Sequence, residues 1–583
     1  MPRGETMNGS DHPQIAISGD VSIVLAGAAG LGIQTIEYIL ARILRSAGYN
    51  VFSSSEFMSR IRGGSNSTQL RVTAKKTSSY VDRIDVFIPL DIAAIEHCEN
   101  RITDRTLILG EKDMLVTHHR VVDCPFTKVA QEAGGKLFAS SVGVGVVCGL
   151  FGIEPAVIEA FMARHFASKN AEIVQKNIAA AKAGLDMGKK FVTDGVVSIV
   201  VDKDETVSKD CFMTGAEAIA LGALAGGCDF VSSYPMSPST TVLEFLASHK
   251  NDFGIVVEQA EDEIAALNMA LGAWYAGARG LVTTSGGGFA LMCEAVSLAG
   301  MIESPAVIHV GQRPGPATGL PTRTEQGDLD LVLYSGHGEF PRAIFAPGTN
   351  DAAFSVMRKA FDIADKFQVP CFVLTDQFFL DSSSASPAFE IPGKPDEKHV
   401  TTTEAGYKRY ALTENGVSPR GVPGKGEGIV CVDSDEHTEQ GYITEDLDLR
   451  VKMVDKRMRK LKLLEDETLV PRFIGPENFD TLIVCWGSNF SCVRDALALA
   501  GDSRMAMLHV TQLYPLHLTV KHRMEKARKV VVVENNATGQ FARLLSRETG
   551  YPVHETILKY NGMPFSVEEL VSRLSAARLQ PKK

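Results

Sequence analysis

Short apolar runs alternate with longer stretches of helical spacing from Val21 onward. Val21–Leu25 reads as a strand. It is followed by the glycine-rich GAAGLG and a helical segment, Ile33–Ala47. Further apolar runs lie at Val86–Leu90, Thr106–Leu109 and Arg120–Val122. A small-residue segment, Ser140–Gly149, leads into a helix from Glu154. Short strands alternating with helices predict a parallel sheet under helical cover. This first unit ends near residue 195, and a charged connector follows at 201–210. A second α/β unit begins at Met213, with a helix over Ala216–Ala225 and a strand over Asp229–Ser233. A long helix over Glu261–Ala276 comes next, then strands at Gly280–Thr284 and Ala306–Val310. The unit closes around Gln377. Residues 382–475 are rich in Pro, Gly and charge and read as a connecting arm with one basic helix near Arg450–Leu464. A third α/β unit covers roughly 478–583, with strands at Thr481–Cys485, Ala506–Val510 and Val530–Val533.

The length, 583 residues, agrees with several cores: at roughly 150 residues per domain it predicts about four. Lys and Arg total 59 against 70 Asp and Glu, a net charge of −11, so there is no basic footprint for nucleic acid. Ten cysteines are scattered without a CxxC pair, which argues against a zinc ribbon or a ferredoxin-type cluster in this chain and fits a reducing compartment. The first twenty residues lack the apolar stretch of a signal peptide, and no segment reaches the roughly 20 apolar residues a membrane helix needs. The expectation is a cytoplasmic protein that does not enter a membrane.

Several segments carry chemistry. Gly27, Gly30 and Gly32 lie between a strand and a helix, where backbone N–H groups can approach a phosphate. A plain tight turn reads equally well. In RIRGGSNS, 60–67, Arg60 and Arg62 beside a Gly-Gly suit phosphate, or decorate a solvated loop. No GxxxxGKS or GxxxxGKT occurs, so a P-loop is not expected. In YPMSPST, Tyr234–Thr240, two prolines fix the chain as it leaves a strand. Ser237, Ser239 and Thr240 then offer hydroxyls where open α/β sheets bind ligands. Ser239 or Thr240 could equally cap the following helix. Glu258, Glu261, Asp262 and Glu263 crowd a helix start, where acids complement the dipole. Glu263 differs in being followed by small residues up to Gly272, which suggests a carboxylate packed against a surface. Arg313 follows a buried strand and could receive a carboxylate through its bidentate fork, or pair with a local acid.

Together these segments resemble the 2-oxoacid:ferredoxin oxidoreductase family. YPMSPST resembles its YPITPST, TSGGGFALM its TSGPGFSLM, and QRPGPATGLPTRTEQGDL its substrate-side loop. DEHTEQGYITED, LYPLH and VVVENNATGQ are similar to its connecting and C-terminal domains. AGAAGLGIQT with RIRGGSNS looks like a degenerate form of its gamma-domain motifs. The resemblance spans nearly the whole chain after residue 20. It implies a multidomain α/β chain: a polar tail over 1–20, a gamma-type domain on the CoA side over 21–200, a thiamine-diphosphate pyrimidine-binding domain over 201–380, a connecting arm over 381–475, and a transketolase C-terminal-like domain over 476–583. Within the family, gamma fused ahead of alpha is similar to the large subunit of two-subunit enzymes, including those acting on 2-oxoglutarate.

The implied reaction converts a 2-oxoacid, CoA and two oxidised ferredoxins to acyl-CoA, CO2 and two reduced ferredoxins. Glu263 matches the glutamate that hydrogen-bonds N1′ of the aminopyrimidine, favouring the imino tautomer whose N4′ accepts the thiazolium C2 proton. The cofactor then serves as the electron sink. Arg313 matches the receptor for the substrate carboxylate, and Ser237 the substrate-side threonine. Tyr234 and Pro235 would flank the pyrimidine, with Ser285 and Gly286 also on the cofactor. Gly27, Gly30, Gly32 and Arg62 would belong to the CoA side. Two departures are TSGGG for TSGPG and YPMS for YPIT, neither removing a catalytic group. The family's diphosphate and metal motif, GDG, is absent from the chain. The resemblance therefore implies a beta subunit supplying the diphosphate site, Mg2+ and a 4Fe-4S cluster, in an (αβ)2 assembly served by ferredoxin. No metal ligand is expected in this chain. The expected substrate is 2-oxoglutarate, with a broad-specificity or pyruvate-preferring enzyme as alternative. A transketolase or lipoyl-linked dehydrogenase component, or a CoA- or nucleotide-binding scaffold, stands further off.

Overall fold

The computed structural model describes residues 15–28, 31–57, 64–390 and 398–577. The chain divides into two units. One comprises residues up to Thr77 together with Asp82–Asp210, and the other Ser78–Val81 with Cys211 onward.

The N-terminal unit corrects the expectation of a wholly parallel sheet. Its strands run in the order Val121–Asp123, Leu107–Gly110, Val86–Pro89, Asp20–Ala28, Ser65–Thr73, Asn50–Glu56. The first four are mutually parallel. Ser65–Thr73 lies antiparallel to both its neighbours. Only eight residues separate Asn50–Glu56 from Ser65–Thr73, fewer than the dozen or so that a parallel crossover needs, so the pairing is antiparallel. The SNS of RIRGGSNS is therefore strand, while Arg60 and Arg62 lie outside the described residues.

Ser140–Gly149 is not a lead-in but part of a buried helix, Ala139–Leu150. Its glycines serve close packing. A Cβ on Gly145 would fall 2.0 Å from the Ala181 carbonyl oxygen, and one on Gly149 2.4 Å from that of Leu185. The facing helix, Ala171–Thr193, reciprocates: Cβ atoms on Gly184 and Gly188 would each lie 2.1 Å from carbonyls of Val142 and Val146. Helical burial on all sides hid this element, because no polar face marks its period.

The larger unit holds two sheets. The central one runs Val256–Gln259, Phe230–Ser233, Gly280–Thr284, Ala306–Gln312, Pro370–Asp376, Ala343–Phe345, all parallel, closed by the antiparallel Gln512–Tyr514. Strands buried on both faces read as continuous apolar runs, and Leu281, Val307, Ile308 and Phe372 are all inaccessible. The second sheet runs Arg472–Ile474, Met505–Val510, Thr481–Trp486, Lys529–Glu534, Glu555–Leu558. The ENNATGQ segment builds its helix entry: buried Glu534 accepts the N–H groups of Phe541 at 2.8 Å and Ala542 at 2.9 Å.

The stretch read as a connecting arm is fastened to the central sheet by buried charge. Asp365, with no exposed surface, is held by Arg279 at 2.8 Å and by Arg420 from the arm. The Arg420 guanidinium also donates to the Trp274 carbonyl at 3.0 Å. The basic helix, Leu447–Asp466, turns Lys456 inward to Glu303 at 2.5 Å, and Lys460 reaches the other carboxylate oxygen. Burial alone would raise the Glu303 pKa; the two ammonium groups overcome it and hold the carboxyl well below its usual range. Glu303 also adopts a left-handed backbone, φ 48°, costly for a residue with a Cβ. Its carbonyl accepts from Arg409 at 2.8 Å.

Breaking a buried ion pair from one side leaves uncompensated charge. Glu303→Ala strands Lys456 and Lys460. The expected loss is about 3–5 kcal/mol in urea unfolding, whereas replacing all three members with Leu and Met restores much of it.

Candidate functional site

Because the six parallel strands of the central sheet point the same way, their C-terminal ends share one edge. Tyr234 leaves Phe230–Ser233, Ser285 leaves Gly280–Thr284, and Arg313 leaves Ala306–Gln312. Glu263 begins the helix that follows Val256–Gln259. The sequence places each at a strand exit, and the sheet brings these exits together. Beneath them, His309 bridges two neighbouring strands, with Nδ1 2.8 Å from the Thr283 hydroxyl and Nε2 2.8 Å from that of Thr375. Burial pushes its pKa down to about 3, so it is a neutral cross-link.

Asp262 is the N-cap of the Glu263 helix, its carboxylate accepting the Ala265 N–H at 2.7 Å. That leaves Glu263, 4% exposed, free of the capping role. Its carboxylate rests over Gly288. A Cβ there would come within 2.7 Å of Glu263 Oε1 and 2.3 Å of Thr284 Oγ1. Gly288 thus clears the space that the Glu263 side chain occupies.

Arg313 donates from Nη1 to the Ser237 carbonyl oxygen at 2.8 Å, so the two predicted substrate residues do meet, through the backbone of Ser237. Burial lowers the Arg313 pKa, and Asp328 opposes that shift. Neither Ser239 nor Thr240 supplies a side-chain cap. Thr240 opens its helix, Thr240–Ser248, and the Ser239 hydroxyl donates instead to the Met236 carbonyl at 2.7 Å, tightening the Pro-rich turn. Tyr234 is 39% exposed at the rim. Ser285 is fully buried, and its Oγ has no hydrogen-bond partner among the described residues.

Sequence reasoning missed two residues. Asp328, in the same GDL segment that resembles the substrate-side loop, lies against Gly286: a Cβ there would sit 2.3 Å from both carboxyl oxygens. Gln326 anchors the loop that carries it. Its side chain donates to the Trp486 carbonyl at 3.1 Å and accepts from Asn489 at 2.9 Å and the Asn535 N–H at 3.1 Å. The only signal for either was position between a predicted substrate arginine and the next helix.

In the N-terminal unit, Gly27 is enclosed by Leu31 and Leu90, each 3.0 Å from a hypothetical Cβ. The neighbouring Ala28 N–H is taken by the Asp91 carboxylate at 2.6 Å. Gly32 holds a left-handed φ of 77°, the backbone state glycine adopts without strain. Gly30 and Arg62 lie outside the described residues.

Comparison with known proteins agrees with the order of these parts. The family model described as pyruvate ferredoxin/flavodoxin oxidoreductase matches residues 22–187. That described as pyruvate flavodoxin/ferredoxin oxidoreductase, thiamine diP-bdg, matches residues 221–456. A 2-oxoacid:ferredoxin oxidoreductase subunit alpha of Sulfolobus sp is 31% identical over 95% of this chain and 96% of its own length. A 2-oxoglutarate oxidoreductase subunit of Mycobacterium tuberculosis is 29% identical over 77% of this chain and 69% of its own. Among solved structures, the 2-oxoglutarate:ferredoxin oxidoreductase from Magnetococcus marinus, with 2-oxoglutarate, coenzyme A and succinyl-CoA bound, superposes with a TM-score of 0.89 at 29% identity, covering 96% of this chain and 99% of that one. The parts define an oxidoreductase subunit with a thiamine diphosphate-binding domain. The chain belongs to the 2-oxoacid:ferredoxin oxidoreductase family, as an alpha subunit whose gamma region is fused ahead of it.

Gly288→Ala should displace Glu263 or Thr284. We expect a loss of about 1–3 kcal/mol, the usual range for overpacking, measured by chemical denaturation of the full chain. Gly272→Ala, where nothing among the described residues beyond its own helix backbone lies within 4 Å of the added carbon, should not destabilise.

Proposed function

We propose that this chain, with a beta subunit, interconverts 2-oxoglutarate, CoA and two oxidised ferredoxins with succinyl-CoA, CO2 and two reduced ferredoxins. The observation that carries the proposal is the buried Glu263, released from capping by Asp262 and cleared by Gly288 at the strand-exit edge. A carboxyl so placed fits the aminopyrimidine of thiamine diphosphate. The buried Ser285 Oγ, without a hydrogen-bond partner among the described residues, offers a further polar contact at the same strand-exit edge. When bound, that cofactor supplies the electron sink for decarboxylation.

The chain's own residues then hold and orient. Glu263 keeps a hydrogen bond at the pyrimidine N1′, which favours proton movement at the opposite amino group. Tyr234 and Pro235 would flank the ring, with Ser285 and Gly286 also on the cofactor. Arg313 receives the substrate carboxylate, and the Ser237 hydroxyl bonds to the substrate. The beta subunit contributes the diphosphate site, Mg2+ and a 4Fe-4S cluster, in an (αβ)2 assembly in the cytoplasm. CoA contacts fall to the N-terminal unit, over 21–200, away from the Ala28 amide that Asp91 already holds.

The bound 2-oxoglutarate and succinyl-CoA of the Magnetococcus marinus structure favour a five-carbon substrate. A broad-specificity reading has its own support, since the Sulfolobus relative is named for 2-oxoacids in general. Among the described residues, no helix is long and apolar enough to cross a membrane.

In the reconstituted α–β complex, Glu263→Gln should lower kcat by about 10²–10⁴, followed as CoA-dependent viologen reduction. Undiminished turnover would remove Glu263 from the chemistry. A lower kcat/KM for 2-oxoglutarate than for pyruvate and 2-oxobutyrate would overturn the substrate assignment alone.

A further inference from the structure

We propose that Glu99, His118 and His119 form a binding site for a divalent transition metal of the zinc class, which clamps residues 111–120 at the strand-entry edge of the N-terminal unit. Glu99 and His119 stand 20 positions apart in sequence, and the fold brings them together. Their meeting departs from the expectation of a chain without metal ligands.

Topology fixes where the cluster lies. The helix Ile92–Cys98 leaves the exit of Val86–Pro89 and leads back toward the entry of Leu107–Gly110, and Glu99 follows it directly. His118 and His119 stand just before Val121–Asp123, which runs parallel to the same strands. Both segments therefore meet at the entry edge, opposite Gly27 and Gly32 at the exit of Asp20–Ala28.

The donors are spaced for a metal. Glu99 Oε1 lies 3.0 Å from His119 Nε2 and 3.6 Å from His118 Nε2. The imidazole centroids are 4.0 Å apart, with the rings tilted by 37°. One donor atom from each of the three residues falls within 4.8 Å of the other two. A tetrahedral zinc ion with bonds of about 2.0–2.1 Å needs donors roughly 3.3 Å apart. The two carboxylate-to-imidazole separations bracket that value, and the His118 side chain, 77% exposed, is free to turn and close the third. At 3.6 Å the His118 contact is too long for a hydrogen bond. The carboxylate thus faces two rings and bonds to one, whereas a cation between them would engage all three. Two imidazoles and one carboxylate suit zinc better than magnesium or calcium, which prefer oxygen. Three protein ligands leave a fourth position for water.

The site is open, and the segment it would hold is thinly fastened. His118 and His119 line a cavity of about 930 Å3 whose walls also carry Asp85, Asp104, Arg105 and Arg120. Residues 111–120 form no helix or strand. Leu115 packs into the core, while Met114 and Val116 on either side of it are exposed. Among the described residues, the bond from His119 to Glu99 is the one side-chain hydrogen bond joining 113–120 to another element.

The test titrates the full chain, treated with EDTA and dialysed, with Zn2+ in a calorimeter. The parent should take up one more equivalent than Glu99→Gln or His119→Ala, and His118→Gln should weaken that equivalent by more than about tenfold. Co2+ in its place should give a ligand-field band without thiolate charge transfer, since no cysteine is among the donors. Zn2+ should also slow tryptic cleavage after Lys112 and Arg120 in the parent and in none of the three variants. His249→Ala, which removes another exposed pairing of a histidine with a carboxylate, should change neither readout. Equal uptake by the parent and Glu99→Gln overturns the proposal. So does an equal loss in His249→Ala, or saturation only at millimolar Zn2+. His118→Gln decides the matter should His119→Ala fail to fold, because His118 is exposed: an undiminished affinity there removes the site. Cleavage indifferent to Zn2+ in a parent that binds it overturns the clamp.

Discussion

One amide, Gln326, joins the two sheets of the larger unit where the chemistry would occur. Its side-chain oxygen receives Asn489 and the Asn535 N–H, its side-chain nitrogen reaches the Trp486 carbonyl, and its own N–H donates to the Asn535 carbonyl at 2.7 Å. The residue is fully buried, so each bond forms in low dielectric, where a satisfied network is stiff and a broken one costly. The loop between Arg313 and Asp328 is anchored by this contact together with the Thr324 N–H, which donates to the Gly562 carbonyl at 3.1 Å, and the Asp328 N–H, which donates to Gln312 Oε1 at 3.0 Å. A loop of Pro, Gly and Thr could otherwise take many paths.

The strand exits were largely legible in the sequence. Gly280–Thr284 was read to the residue, and Ala306–Gln312 extends its predicted strand by two. Parallel strands buried on both faces leave short continuous apolar runs, and here turn residues bound them. Glu263 was separable from three neighbouring acids by the small residues after it, and the structure gives the capping role to Asp262. Ala139–Leu150 was not legible as a helix, because glycines that permit close helix packing look like loop when read alone. The antiparallel Ser65–Thr73 was hidden behind a Gly-Gly that marks a turn but not the direction of return.

Asp328, Gln326 and the buried lysines share a different reason for having been missed. Their partners are remote: Glu303 and Lys456 are 153 residues apart, and Gln326 and Asn489 are 163 apart. Spacing rules see only neighbours within a few turns. A basic helix read locally is a solvated face, and only the tertiary fold reveals that Lys456 and Lys460 point into the protein. Such groups are retained despite their desolvation, which apolar substitutes would avoid. Here they align a long, weakly structured stretch against one site on the central sheet.

That alignment has a bearing on biosynthesis. Glu303 emerges from the ribosome well before the helix that neutralises it, and Asp365 precedes Arg420 by 55 residues. Until residues near 460 have been translated, the nascent central sheet carries carboxylates destined for zero exposure with part of their counter-charge still unmade. Full pairing of that buried charge therefore needs residues that come late in the sequence. The second half of the chain completes the folding of the first, and a ribosome stalled before Leu447 would hold a domain that exposes Glu303 to water instead of burying it.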